Sequence, residues 1–287
     1  MKLEKILSWL DKTLKVADFD DVSNNGLQID RTVRAPADSS VRTVAFAVDA
    51  SVRAVEAAAK AGAQLLVAHH GISWGGGIRR IEGGVGNVVR AAMKANLAVA
   101  AYHLPLDAHP TLGNNAQLAK SFGLRNVRPA FRYHGNVIGV VGECLSSRVV
   151  ECLRLLGCLD QLKDSQLKNS KTQTLGICSG GAGEFAEEAK NLGCDLYVTG
   201  EANWGDVIAA ENCGMKMISA GHYETEVFGV RALSKAMKKA LKLRTIDLTE
   251  AAADFGFENG WIQGFGAADP KLALLGENMP AAHGVVR

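Results

Sequence analysis

Apolar residues recur at Leu3, Ile6, Leu7, Leu10 and Leu14 with lysine and glutamate between them, the spacing of an amphipathic helix at the start of the chain. The intervening charges exclude the uninterrupted apolar stretch of a signal peptide. A polar loop follows at 18–30, DFDDVSNNGLQID, with Asn-Asn-Gly as a turn signal. The pattern then changes to short, near-continuous apolar runs, as expected of strands buried on both faces: 41–51, 63–70 and 97–103. Between them lie an alanine-rich helical segment at 51–62, opening on Ser51 as a candidate N-cap and closing on Gly62, and a second helix near 87–95. A short helix at 114–123 completes this half. In the second half strands are predicted at 136–143, 171–179, 194–200, 215–221 and 244–250. Helices are predicted near 147–156, 183–192, 203–212 and 222–241. The alternation specifies an α/β fold with parallel or mixed sheets covered by helices. The periodicity breaks at 125–135, RNVRPAFRYHG, and the expected organisation is a first lobe at 1–128, a second at 129–250 and an extension at 251–287.

Composition narrows the class. With 47% hydrophobic residues the 287-residue chain is globular, and no uncharged apolar run approaches the length of a membrane span. A net charge of +2 gives no support to a nucleic-acid surface. The six cysteines (144, 152, 158, 178, 194, 213) include no CxxC pair, which suits buried apolar thiols in a reducing compartment, and a cytoplasmic location is inferred.

Histidine placement adds candidate chemistry. Five of the seven histidines (69, 70, 103, 109 and 222) fall at or just after predicted strand ends, the edge at which α/β sheets bind ligands. His69 and His70 close one strand. His103, Asp107 and His109 follow another, where Pro105 is expected to keep the segment out of a regular helix. A carboxylate can bridge two cations through its two oxygens, so Asp107 is the natural shared ligand of a two-metal site; otherwise it is a turn residue before the 114–123 helix. His222 and Glu226 are four apart on one helical face, whereas Glu224 is expected to face elsewhere. Together these form a mixed nitrogen and oxygen donor set that suits Zn, Fe, Mn, Co or Ni over Ca or Mg.

The segments NNGLQ, VAHHGISWGG, AAYHLPLDAHPTLGNNAQLA, VTGE and SAGHYETE resemble the NIF-three-like family of dinuclear-metal proteins, which includes type-2 GTP cyclohydrolase I homologues. The resemblance runs from the first helix to about Leu248. It implies two α/β lobes facing a cleft, two divalent transition-metal ions between them, and a toroidal homo-hexamer. It places the metal ligands on His69, His70, Asp107, His222 and Glu226, with His103 beside them. Members end soon after the strand corresponding to RTIDL, so the 251–287 extension, with Phe255, Phe257, Trp261 and Phe265, departs from the pattern as a docking segment or a disordered tail.

Two adjacent cations acidify water into a nucleophile. A cyclohydrolase would direct it at C8 of guanine and release formate. Glu201, in VTGE, is then a candidate proton shuttle or a partner of a ligand histidine, with a surface role as the alternative. The glycine-rich 75–86 loop carries Arg79 and Arg80 and either closes over an anionic substrate or is a mobile loop with solvated arginines. No P-loop motif is present. The function expected is a metal-dependent hydrolase of a nucleotide or related heterocycle. The alternatives are a metal-handling protein without hydrolase activity and a ring with a structural metal, the last disfavoured because five or six ligands for two ions leave positions open.

Overall fold

A computed structural model describes residues 1–31, 40–162 and 172–249. The elements of the first half are α1 (Leu3–Leu14), β1 (Gly26–Ile29), β2 (Thr43–Asp49), α2 (Val52–Lys60), β3 (Leu65–His70), α3 (Gly83–Ala95), β4 (Ala98–Ala101), α4 (Leu104–Asp107) and α5 (Asn114–Phe122). Those of the second half are β5 (Arg125–Tyr133), β6 (Asn136–Leu145), α6 (Ser146–Leu155), β7 (Thr172–Cys178), α7 (Ala186–Asn191), β8 (Leu196–Thr199), α8 (Trp204–Cys213), β9 (Met217–Ser219), α9 (His222–Leu241) and β10 (Arg244–Asp247). They form two five-stranded sheets, ordered β1-β4-β3-β2-β10 and β5-β6-β7-β8-β9. In the first sheet only β1 runs antiparallel to its neighbour; in the second, β5, β6 and β7 are antiparallel and β7, β8 and β9 parallel.

Alternation along each strand divides the cores. Val44, Phe46 and Val48 of β2 meet Ile6, Leu10 and Leu14 of α1 and Val230, Leu233 and Met237 of α9. Ala45 and Ala47 point the other way, where their small side chains lie under Val55 and Ala58 of α2 and Val88 and Ala92 of α3. In the second sheet Leu175, Ile177, Leu196 and Val198 are covered by Leu118 and Phe122 of α5 and by Val149 and Leu153 of α6. Phe131, Cys178 and Tyr197 lie on the opposite face with Ala186, Ala189 and Ala210. Phe228 packs against cores of both sheets, which places α9 between them beside α5. The parallel strands of both sheets therefore direct their C-terminal ends at one cleft.

Three segments depart from the sequence expectation. The 125–135 stretch is the nine-residue strand β5, an edge strand with a register shift between Arg125 and Arg128, where Pro129 costs no interior hydrogen bond. The polar 18–30 loop contains the four-residue strand β1. Pro105 lies in the first turn of the one-turn helix α4, where its missing N–H is harmless. In addition, β10 pairs with β2, so the strand at 244–247 belongs to the sheet built by the first half. The 251–287 extension lies outside the described residues. Five cysteines are buried and Cys213 half-buried, all as free thiols, and burial pushes Cys152 and Cys158 up to about 12. Among the described residues no helix is long and apolar enough to cross a membrane.

Candidate metal centre

The end of β3 brings His69 and His70 to the cleft with ring centroids 4.6 Å apart. His103, after β4, lies 5.1 Å from the His69 ring, and His222, at the first turn of α9, 5.4 Å from the His70 ring. Each imidazole is held through Nδ1. His69 donates to the Tyr102 carbonyl at 3.0 Å, His70 to Asp49 Oδ1 at 2.9 Å, His103 to Asp21 Oδ1 at 2.8 Å and His222 to Glu201 Oε2 at 2.8 Å. An acceptor on Nδ1 selects the tautomer whose Nε2 carries a free lone pair.

The Nε2 atoms of His69, His70 and His222 face carboxylates. Glu226 Oε1 lies 3.4 Å from His69 Nε2 and 3.2 Å from His222 Nε2, its Oε2 lies 3.3 Å from His70 Nε2, and Asp107 Oδ2 lies 3.5 Å from His69 Nε2. These are longer than charge-assisted hydrogen bonds, about 2.7–2.9 Å. They match the spacing of about 3–3.5 Å between donors sharing one ion at bond lengths of about 2.0–2.2 Å. Two of the atoms, His69 Nε2 and Glu226 Oε2, are fully buried with no hydrogen-bond partner. Such groups are costly unless something else satisfies them, and a cation would do so. Donor atoms fall into three overlapping sets, His69/His70/His103, His70/His222/Glu226 and His69/Asp107/Glu226, each within 4.8 Å. The donor set fits a metal centre on its chemistry and on its orphaned atoms.

Electrostatics follow the packing. Burial opposes a charge on His69, but Asp107 and Glu226 outweigh it and raise its pKa. Burial likewise opposes the charge on His70, and the carboxylates of Asp49 and Glu226 overcome it, to about 10. Glu226, helped by Glu201, lifts His222 to about 9 against its burial. Glu226 is itself held well below the usual carboxylate range, because His69, His222 and His70 more than offset its burial.

A polar scaffold sets these positions. Asp107 Oδ1 accepts from Asn114 Nδ2 at 2.8 Å and from Ser179 Oγ at 3.2 Å, leaving Oδ2 toward the centre. Asn114 Oδ1 accepts the Gly229 N–H of α9 at 2.7 Å, and Asn115 Oδ1 accepts the Ser179 N–H at 2.7 Å, so the first turn of α5 ties α9 and the end of β7 to Asp107. Asn25 Oδ1 takes the His103 N–H at 2.7 Å, and Asp21 Oδ2 takes the Leu104 N–H at 2.9 Å. Gly180 has φ +68°, and a Cβ there would lie 2.5 Å from Glu226 Oε1, so glycine is what lets the β7–α7 loop close on the ligands.

The structure thus brings His69, His70, His103, Asp107, His222 and Glu226 together, with Glu201 on His222. Of the two carboxylates, Glu226 turns both oxygens to imidazoles, whereas Asp107 spends one on Asn114 and Ser179. Asp107, the shared ligand of the sequence expectation, keeps Oδ2 toward the centre, and Glu226 offers two oxygens beside it. His109 is turned away, its Nδ1 accepting the Thr111 and Leu112 N–H groups. Glu224, expected to face elsewhere, does lie off the cleft, but it is buried, with one unpartnered oxygen. Arg79 and Arg80 are exposed and do not line the cleft. Sequence reasoning missed Asp21, Asp49, Asn25, Asn114 and Ser179. The signals for them were the polar 18–30 loop, the NNGLQ and GNNAQLA segments that hold Asn25 and Asn114, and the terminal aspartate of β2, which strand register places beside His70.

Fold and site define a class: a two-sheet α/β protein in which strand ends gather histidines and carboxylates of metal-ligand type into one cleft. The chain belongs to the Duf34/NIF3 (NGG1p interacting factor 3) family, whose model matches residues 1–253. It is 35% identical over 250 residues to a Pyrococcus horikoshii protein named GTP cyclohydrolase 1 type 2 homolog, covering 86% of this chain and 97% of that one. A protein of the same name from Deinococcus radiodurans is 38% identical over 242 residues, covering 80% and 86%. The solved structure of TTHA1606 from Thermus thermophilus superposes with TM-score 0.71 at 27% identity, covering 86% of this chain and 98% of that one.

Proposed function

We propose that the chain holds two divalent transition-metal ions and acts as a metal-dependent hydrolase on a nucleotide or related heterocycle. The observation that carries this is the common orientation of the imidazoles: Nδ1 of His69, His70, His103 and His222 is tethered by an outer acceptor, and buried carboxylates face the centre. In this reading His69, His70, His103, Asp107, His222 and Glu226 hold the ions, and Glu226 is the shared carboxylate. The names of the relatives support the hydrolytic side.

Bound divalent ions would supply Lewis acidity, polarising a substrate group and acidifying water. The chain's own residues supply the rest. Glu201 is 66% exposed and accepts the His222 Nδ1–H, so it orients that ring and offers a proton route to solvent at the cleft rim. Ser179 and Asn114 fix Asp107 against rotation. The cleft, of about 410 Å³, is large enough for a heterocyclic ring beside the centre. Assembly as a homo-hexamer and a cytoplasmic location belong to the same reading.

Metal analysis of the purified chain is expected to give close to two ions, with most of the metal lost in Glu226→Gln. Metal-loaded protein incubated with GTP is expected to release formate. Retention of both ions by Glu226→Gln would remove the shared-carboxylate assignment. No formate above a Glu226→Ala control, across several metals, would leave a metal-handling protein in place of a hydrolase.

A further inference from the structure

The wall of the cleft carries an aromatic surface that the metal ligands do not use. Trp74 lies in the loop after β3 and is 38% exposed, although its indole is fixed. Its Nε1–H donates to the Gly71 carbonyl at 3.0 Å, and its ring sits 5.2 Å from His103 edge-on and 6.0 Å from His70. The backbone beneath it is also anchored. Gln28 Oε1 accepts the Ile72 and Ser73 N–H groups at 2.7 and 3.1 Å, and Ser23 forms a β-bridge to Trp74. An exposed indole held this firmly beside two candidate ligands is a preformed platform for a planar group, because base–aromatic stacking needs a rigid π-face and little else. From the second sheet's side Tyr133 and Phe185 line the same cleft.

The charge of the lining points to which part of a ligand is read. Among the described residues that line the cleft there is no lysine or arginine; the ionisable ones are histidines, Tyr133 and the carboxylates Asp107, Glu184 and Glu226. A site that bound a polyphosphate through the protein would present arginine, lysine or a nest of N–H groups to it. Outside the candidate ligands, Glu184 is the carboxylate of this lining, and it can accept a proton from the N–H edge of a nitrogen heterocycle.

We propose that Trp74 is the stacking platform for a planar nitrogen heterocycle, and that the cleft recognises the ring and not an anionic tail. This rests on the proposed function, since it names the substrate class of that site. Calorimetric titration of the full-length, metal-loaded chain with guanosine and with GTP tests it, with metal content measured on every sample. The expected result is that guanosine binds within about threefold of GTP. Trp74→Ala is expected to weaken guanosine by about tenfold or more while keeping its ions and melting temperature, and Trp74→Phe to retain most of the affinity. GTP binding more than tenfold tighter than guanosine would overturn ring recognition. Unchanged guanosine affinity in Trp74→Ala, or no guanosine binding by the wild-type chain at millimolar concentration, would overturn the platform. Failure of the underlying reading shows separately, as a wild-type metal content near zero, and the guanosine arms then still score Trp74.

Discussion

At the scale of single residues, the centre depends on groups that touch no ligand-facing atom. Asp49 is the clearest, because it is largely exposed and its carboxylate accepts the His70 Nδ1–H at 2.9 Å. Removing an outer partner of this kind costs about 10–100-fold in metal affinity. Asp49→Ala is therefore expected to weaken binding by that amount in competition with a chromophoric chelator and, because Asp49 helps raise His70, to lower the melting temperature of stripped protein near neutral pH. An unchanged affinity would remove His70 from the centre. The same titration carries a pH signature. In chelator-stripped protein His70 and His222 are raised from 6.5 to about 10 and about 9. Folded values above the unfolded ones mean that their stabilisation is complete below about 6.5 and is lost as the pH rises through 9 to 10. A cation needs the neutral imidazole, so affinity should climb across that window with release of protons. Stripped protein is thus expected to melt lower at pH 9 than at pH 6.5, while the stabilisation given by metal grows.

At the scale of elements, the strands that carry the candidate ligands were the legible ones. β2, β3 and β4 are buried on both faces and read as apolar runs, and α9 starts and stops where its pattern does, at His222 and Leu241. The edge strands were hidden for the complementary reason. β5 exposes Arg125, Arg128 and Arg132 and contains Pro129, so no alternation marks it, and the short β1 sits inside a segment rich in turn residues. The histidines could be read from their positions after strands, and Glu201 as a partner of one of them, but the other Nδ1 acceptors could not. Asp21 is 82 residues from His103 and Asp49 is 21 from His70, so only strand register and loop packing bring them together. The β7–α7 loop gives a test at this scale. Gly180→Ala places a side chain at φ +68° and drives its Cβ toward Glu226. The expected cost is about 1–2 kcal/mol of stability from the left-handed backbone alone, read by denaturant melting, together with loss of metal. Full metal retention would mean that the loop does not pack on the ligands as described.

At the scale of the whole molecule, the chain order and the two sheets do not coincide, and this bears on whether 1–128 and 129–250 are separable units. The first sheet takes its last strand, β10, from the end of the described chain, and α9 covers one of its faces. A fragment ending at 128 would lose Val227, Val230, Leu233 and Met237 from the core that holds Val44 and Phe46. Burying side chains of this kind is worth about 1.5–3 kcal/mol each. Four of them represent about 6–12 kcal/mol, comparable to the entire stability of a typical domain, about 5–15 kcal/mol. The 1–128 fragment is therefore expected to lack a cooperative thermal transition and a near-ultraviolet circular dichroism signal. A fragment that melts cooperatively by itself would show that α9 and β10 are dispensable to the first sheet. The dependence also has a functional side. His222 and Glu226 lie on the first turns of the helix whose later turns complete the core against β2, so docking of that helix seats these two side chains against His69 and His70. Folding of the first sheet and assembly of the centre are then one event, and mutations in α9 far from the cleft, such as Met237→Ala, should lower metal content and stability together.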